Sequence, residues 1–144
     1  MEEDKKLKKY ILIASTLLFA CSLTQKCYCT SANCGDSIMV LLLGWAAFSS
    51  GAAGFVWLAN PLLLLSWVTV HKKLKASMIF SMFAALLSLS FLLFDSIVDN
   101  EAGGSQRITA YKAGYWLWTG SCICMLLGTF ILMLRYNTRK AANR

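Results

Sequence analysis

Six cysteines carry the only reactive or bridging chemistry that stands out in this chain, and they fall into three groups: Cys21 alone, Cys27 with Cys29 and Cys34, and Cys122 with Cys124. In an oxidising compartment, three thiols in one loop are expected to form a disulfide. Cys27 and Cys29 are too close in sequence to bridge each other comfortably, so Cys34 pairs with either one, and the remaining thiol stays free or joins Cys21. The pattern Cys27-x-Cys29-x4-Cys34-x-Asp36 offers donors that zinc accepts, but it lacks paired C-x2-C knuckles and a nearby histidine, so no metal site is predicted. Redox chemistry is the enzymatic alternative, with Cys122 or Cys124 as nucleophile and Cys27, Cys29 or Cys34 as shuttle thiols. Other catalytic classes lack their residues. His71 is the single histidine, and there is no P-loop, dinucleotide glycine motif or HExxH.

Leu18-Phe19-Ala20-Cys21, behind four lysines and an apolar run, is similar to the lipobox of bacterial lipoproteins, with Phe19 bulkier than the residue usual there. That similarity implies cleavage before Cys21 and its lipidation. A cysteine-bearing loop after the first helix and a cysteine pair near the outer end of a fourth resembles the layout of the vitamin K epoxide reductase family, quinone-linked four-helix thiol oxidoreductases. The resemblance implies a quinone partner, with Asn60 polarising a quinone carbonyl; no other cofactor is predicted. The pair here is Cys122-Ile123-Cys124 in place of that family's C-x-x-C, a spacing that strains a disulfide and points the side chains about 200° apart on a helix.

The elements that must position these residues follow from composition. Of 144 residues, 58% are hydrophobic and 15% charged, with one proline and a mean hydropathy of +0.58. A soluble domain of this size would leave much of that apolar surface in water, which implies lipid as solvent and a single transmembrane domain. Apolar spans are predicted at about 8–24, 38–70, 76–94 and 114–134. The first holds only 14 residues free of lysine, Tyr10 to Leu23, and has the length of a signal peptide's apolar region as well. The span 38–70 is uncharged over 33 residues, about 50 Å of helix against a hydrocarbon core of ~30 Å. It therefore either crosses twice, through a hairpin at Gly51-Ala52-Ala53-Gly54, or crosses once with a broken section.

Cation placement favours a single crossing. That arrangement puts eleven basic residues on one side (Lys5, Lys6, Lys8, Lys9, Lys72, Lys73, Lys75, Arg135, Arg139, Lys140, Arg144) and Lys26, Arg107 and Lys112 on the other. The expected fold is an all-α, four-helix transmembrane bundle with a broken or kinked second segment, multi-pass in the cell (inner) membrane with both termini cytoplasmic. Tyr111, Tyr115, Trp116 and Trp118 read as anchors at the outer interface. The outer loop Asp95 to Ala113 lacks enough apolar residues for its own core and reads as draped. The net charge of +7 is accounted for by orientation and anionic headgroups, with no nucleic-acid partner.

The interrupted segment carries the remaining candidates. Ala46, Ser50 and Gly54, with Ala47 and Gly51, recur four apart, a pattern that lets helix backbones approach in lipid and predicts association with itself or another membrane protein. The same residue types suit a re-entrant or pore-lining stretch, which supplies a small-pore or holin-like alternative. Pro61 cannot donate to the Trp57 carbonyl, so a kink is expected there; Trp57, Asn60 and Pro61 form the candidate polar site, with Asn60 binding a ligand, a neighbouring helix or the loosened turn. No ionisable residue lies well inside any span, which disfavours proton relays, voltage sensors and ion pumps. The function expected is that of a non-enzymatic interaction or accessory subunit.

Overall fold

The computed structural model describes residues 2–98 and 104–142, apart from the side chains at 48–50, 52 and 98. The chain starts with α1 (Glu2–Leu23), followed by strands β1 (Lys26–Thr30) and β2 (Cys34–Asp36) and helix α2 (Ser37–Leu43). Two 3-10 helices, Gly44–Ser50 and Ala52–Leu58, lead to α3 (Ala59–Thr69) and α4 (Leu74–Ser90), which a 3-10 turn extends over Phe91–Leu93. Strands β3 (Ser96–Val98) and β4 (Ser105–Tyr111) precede α5 (Ala113–Ala142).

Local chemistry sets several boundaries. Glu2, Glu3 and Asp4 occupy the first turn of α1, where negative charge meets the positive end of the helix dipole. The helix ends where the Thr24 hydroxyl donates to the Cys21 carbonyl, 2.8 Å away. Thr30 closes the β1–β2 hairpin: its amide donates to the Asn33 carbonyl at 2.7 Å, and its hydroxyl accepts from the Asn33 amide at 3.2 Å. Beta4 alternates exposed and half-buried residues from Ser105 to Ala110, and pairs antiparallel with β1 on one side and β3 on the other. The sheet order is β2-β1-β4-β3.

This sheet corrects the all-α expectation. A four-helix transmembrane bundle is not what forms either: among the described residues only Leu74–Leu93 and Ala113–Ala142 are helices long and apolar enough to cross a membrane. The amino-terminal part of α1 is charged by Lys5, Lys6, Lys8 and Lys9, and α3 has only 11 residues. The stretch read as a draped loop supplies β4, whose partner β1 lies far away in sequence, so neither strand shows itself as half of a hairpin. Asp99, Glu101 and Gly103 of that loop lie outside the described residues.

The long uncharged segment is broken at Gly51, whose φ of +137° is a conformation that favours glycine. The kink expected at Pro61 is absent, because α3 starts at Ala59 and places the proline in the first turn, where no amide donor is required.

The helices meet through small and hydroxyl-bearing side chains. The Ser15 and Ser121 hydroxyls lie 3.0 Å apart between α1 and α5, and Trp67 Nε1 donates to Ser15 Oγ at 2.9 Å. Ser66 and Ser77 join α3 to α4 at 3.0 Å, and Ser81 and Thr129 join α4 to α5 at 3.1 Å. Gly128 admits the Ile11 side chain so closely that no Cβ would fit there. The buried residues of α4 are Ser77, Ser81, Ala84, Ala85 and Ser88, whereas Ile79, Phe83 and Leu86 are exposed, Leu86 at 56%.

The body has two unlike ends. At one, Asp4 pairs with Arg139, and Leu7, Val70, Leu74 and Leu132 pack around Ile11, which brings the start of α1, the α3–α4 turn and the end of α5 together. At the other lie the sheet and its disulfide.

Candidate functional site

Between the sheet and the helices lies a cavity of about 140 Å³. The end of α1, β1, α2, both 3-10 helices and the start of α5 contribute to its lining. Aromatic rings form much of the wall. Phe91 lies with its ring centroid 5.6 Å from Tyr28 and 5.8 Å from Tyr115, and Tyr115 lies 6.1 Å from Trp118. Tyr115 and Trp118 reach it because residues three apart share one face of α5. Small residues leave the space open: Gly44 sits where a Cβ would come within 2.5 Å of the Trp57 ring, and Ala47, Gly51 and Gly54 line the cavity. Gly51 is exposed and has nothing near a would-be Cβ, so the cavity reaches the surface there.

Most polar side chains in the lining are already paired. Asn60 Nδ2 donates to the Trp57 carbonyl at 3.0 Å, and Asn60 Oδ1 accepts from Trp118 Nε1 at 2.9 Å. Trp57 Nε1 donates to the Leu41 carbonyl at 2.8 Å, and Tyr115 Oη to the Ser88 carbonyl at 2.9 Å. Ser22 Oγ donates to Phe19, one turn back. Ser37, at the start of α2, is the exception. It is 7% exposed, and its hydroxyl is buried without a hydrogen-bond partner. Beside it, burial pushes the Cys27 thiol up to about 11; the Ser37 hydroxyl moderates this, yet the contact falls short of a hydrogen bond.

The other candidates are dispersed. Cys29 and Cys34 form a disulfide across the β1–β2 pair, and Asp36 is held by Lys26 at 2.7 Å, which leaves only Cys27 of the four potential zinc donors uncommitted. Among the described residues no cluster of three His, Cys, Asp or Glu side chains could hold a metal. Cys21 is exposed at the end of α1, Cys122 is buried in α5 and Cys124 half-buried, and none of these three lines the cavity. The shuttle and nucleophile thiols of the redox alternative are therefore not assembled: a protonated Cys27 is a poor nucleophile near neutral pH. Pro61 lies outside the lining, while Trp57 and Asn60 are in it. Of the small residues, Ala46 is exposed, Gly54 buried, and the side chain of Ser50 lies outside the described residues. With Gly51 separating two 3-10 helices, these positions do not stack as one α-helical face.

Sequence reasoning missed Ser37, Tyr28 and Phe91, and placed Tyr115 and Trp118 at the interface. The spacing of Tyr115, Trp118 and Cys122 on one helix face was the available signal; Ser37 offered none, since its burial depends on Gly114 bringing α5 against β1 with no room for a Cβ. No protein-family model, curated protein or solved structure matches the chain.

Proposed function

We propose that this chain is a membrane-embedded, non-enzymatic interaction or accessory protein, with its helical body in lipid and its sheet on an oxidising face. The observation that carries the reading is the inverted polarity of the helices: Ser15, Ser66, Ser77, Ser81, Ser121 and Thr129 are fully buried, while Leu17, Val68, Leu86 and Leu134 face outward at 51% exposure or more. In water such an exterior would be a large contiguous apolar patch. In lipid, where apolar contact gives little preference between helix and tail, small side chains and hydroxyl pairs are what hold helices together.

Leu74–Leu93 and Ala113–Ala142 have the length to cross, and α1 and α3 pack against them. Lysines and arginines gather at the end where Asp4 meets Arg139, which supports a cytoplasmic location for that end, and the disulfide at the opposite end supports an oxidising one. Partners under this reading are the bilayer and another membrane chain, itself included.

Single-cysteine reporters at Lys73 and Ser31, on a background with the native thiols replaced, test it. A membrane-impermeant maleimide is expected to label Ser31→Cys in intact cells and Lys73→Cys only after permeabilisation. Labelling of both without permeabilisation, or release of the protein by alkaline carbonate, would overturn the reading.

A further inference from the structure

The cavity has three properties that together select a ligand. Its volume, about 140 Å³, is close to that of a buried apolar cavity known to take benzene, roughly 150 Å³. No Asp, Glu, Lys, Arg or His lines it, so nothing compensates a charge brought inside. One lining hydroxyl, Ser37 Oγ, is buried and unpaired, and a buried group left in that state costs more than a hydrogen bond normally contributes. Thr119 Oγ1 and Asp4 Oδ1 are also buried without a partner, but neither belongs to the lining.

We propose that the cavity binds an uncharged amphiphile, which inserts a ring-sized apolar head bearing one hydroxyl or carbonyl oxygen. The oxygen pairs with Ser37, the ring packs among Tyr28, Phe91, Tyr115 and Trp118, and any tail leaves past Gly51. The Ser37 hydroxyl can donate to a carbonyl or accept from a hydroxyl, so both head chemistries fit. Carboxylates and amines are excluded by the uncharged walls. Fused multi-ring heads are excluded by volume.

The test uses the full chain in detergent micelles and three probes transparent to tryptophan excitation: cyclohexanol, methylcyclohexane and cyclohexanecarboxylate. Trp57 and Trp118 line the cavity and report occupancy by fluorescence. Cyclohexanol is expected to give a saturable change at about tenfold lower concentration than methylcyclohexane, the effect of one hydrogen bond, and cyclohexanecarboxylate none. Ser37→Ala should remove the difference between the first two, and Ala47→Phe, which fills the cavity, should remove saturable binding of both. Ser37→Ala has no hydrogen bond to lose, so it keeps the test intact if Ala47→Phe does not fold. Absence of saturable binding, equal binding of cyclohexanol and methylcyclohexane, binding of the carboxylate, or a preference that survives Ser37→Ala would each overturn the proposal.

Discussion

The helical body and the cavity region are built from the same residue types used to opposite ends. In the body, glycine brings chains together: Gly128 lies hard against Ile11. At the cavity, glycine leaves space: a Cβ on Gly51 would touch nothing within 4 Å. Serine divides in the same way, with Ser15 and Ser121 satisfying each other across α1 and α5 while Ser37 is buried without a partner. The difference teaches that a small residue in an apolar chain has no fixed meaning. Two α-helices with complementary faces can close over it, whereas two 3-10 helices hinged at a left-handed glycine cannot.

The sharpest way to break this comparison is to fill both kinds of glycine. Gly128→Leu is expected to destabilise the folded protein in micelles by about 3 kcal/mol through overpacking against Ile11. The same change at Gly120, where a Cβ meets nothing within 4 Å, should cost far less. Comparable losses at the two sites, read from chemical unfolding, would remove the distinction.

The cavity end is expected to respond to alkali through Cys27. Its folded-state value, about 11, lies above the ordinary 9.0, so its stabilising contribution is complete below pH 9 and is lost as pH rises through 11. The two-unit difference corresponds to about 3 kcal/mol at the upper limit. Cys27→Ala should flatten that part of the stability profile, measured as the pH dependence of the unfolding midpoint relative to the unaltered chain.

Removing the hairpin disulfide by Cys29→Ser with Cys34→Ser should cost about 2 kcal/mol, as expected for a short closed loop. Its presence is checked by alkylation after denaturation without reductant, where Cys21, Cys27, Cys122 and Cys124 should be modified and Cys29 and Cys34 should not. The smallest effect belongs to a single hydroxyl pair: a double-mutant cycle of Ser81→Ala and Thr129→Val should return a coupling near 0.6 kcal/mol. A coupling indistinguishable from zero would mean that small size alone, without hydrogen bonding, accounts for the contact between α4 and α5.

Much of the helical organisation was legible in the chain. The uncharged runs at 76–94 and 114–134 mark α4 and α5 to within a few residues at most of their ends, because exclusion of charge over about 20 residues is a local property. The glycine-rich interruption near residue 51 was also visible, since it needs no distant partner to be recognised. The thiols Cys27, Cys29 and Cys34 could be seen as a disulfide set, but not as a pair. The register that places Cys29 opposite Cys34 exists only once β1 and β2 are hydrogen-bonded, and it leaves Cys27 facing inward.

What the amino-acid order determined by itself was therefore the apolar character of the helices, the basic flanks, and the point where the long uncharged run breaks, all of which depend on neighbours within a few turns. Only the tertiary structure decided that β1 pairs with β4, that Tyr115 and Trp118 turn inward, and that Ser37 is sealed beside Cys27 with no partner. Each of those outcomes joins residues from opposite halves of the chain. Their physical cause is the closure of a sheet over a helical body that cannot fill the space beneath it.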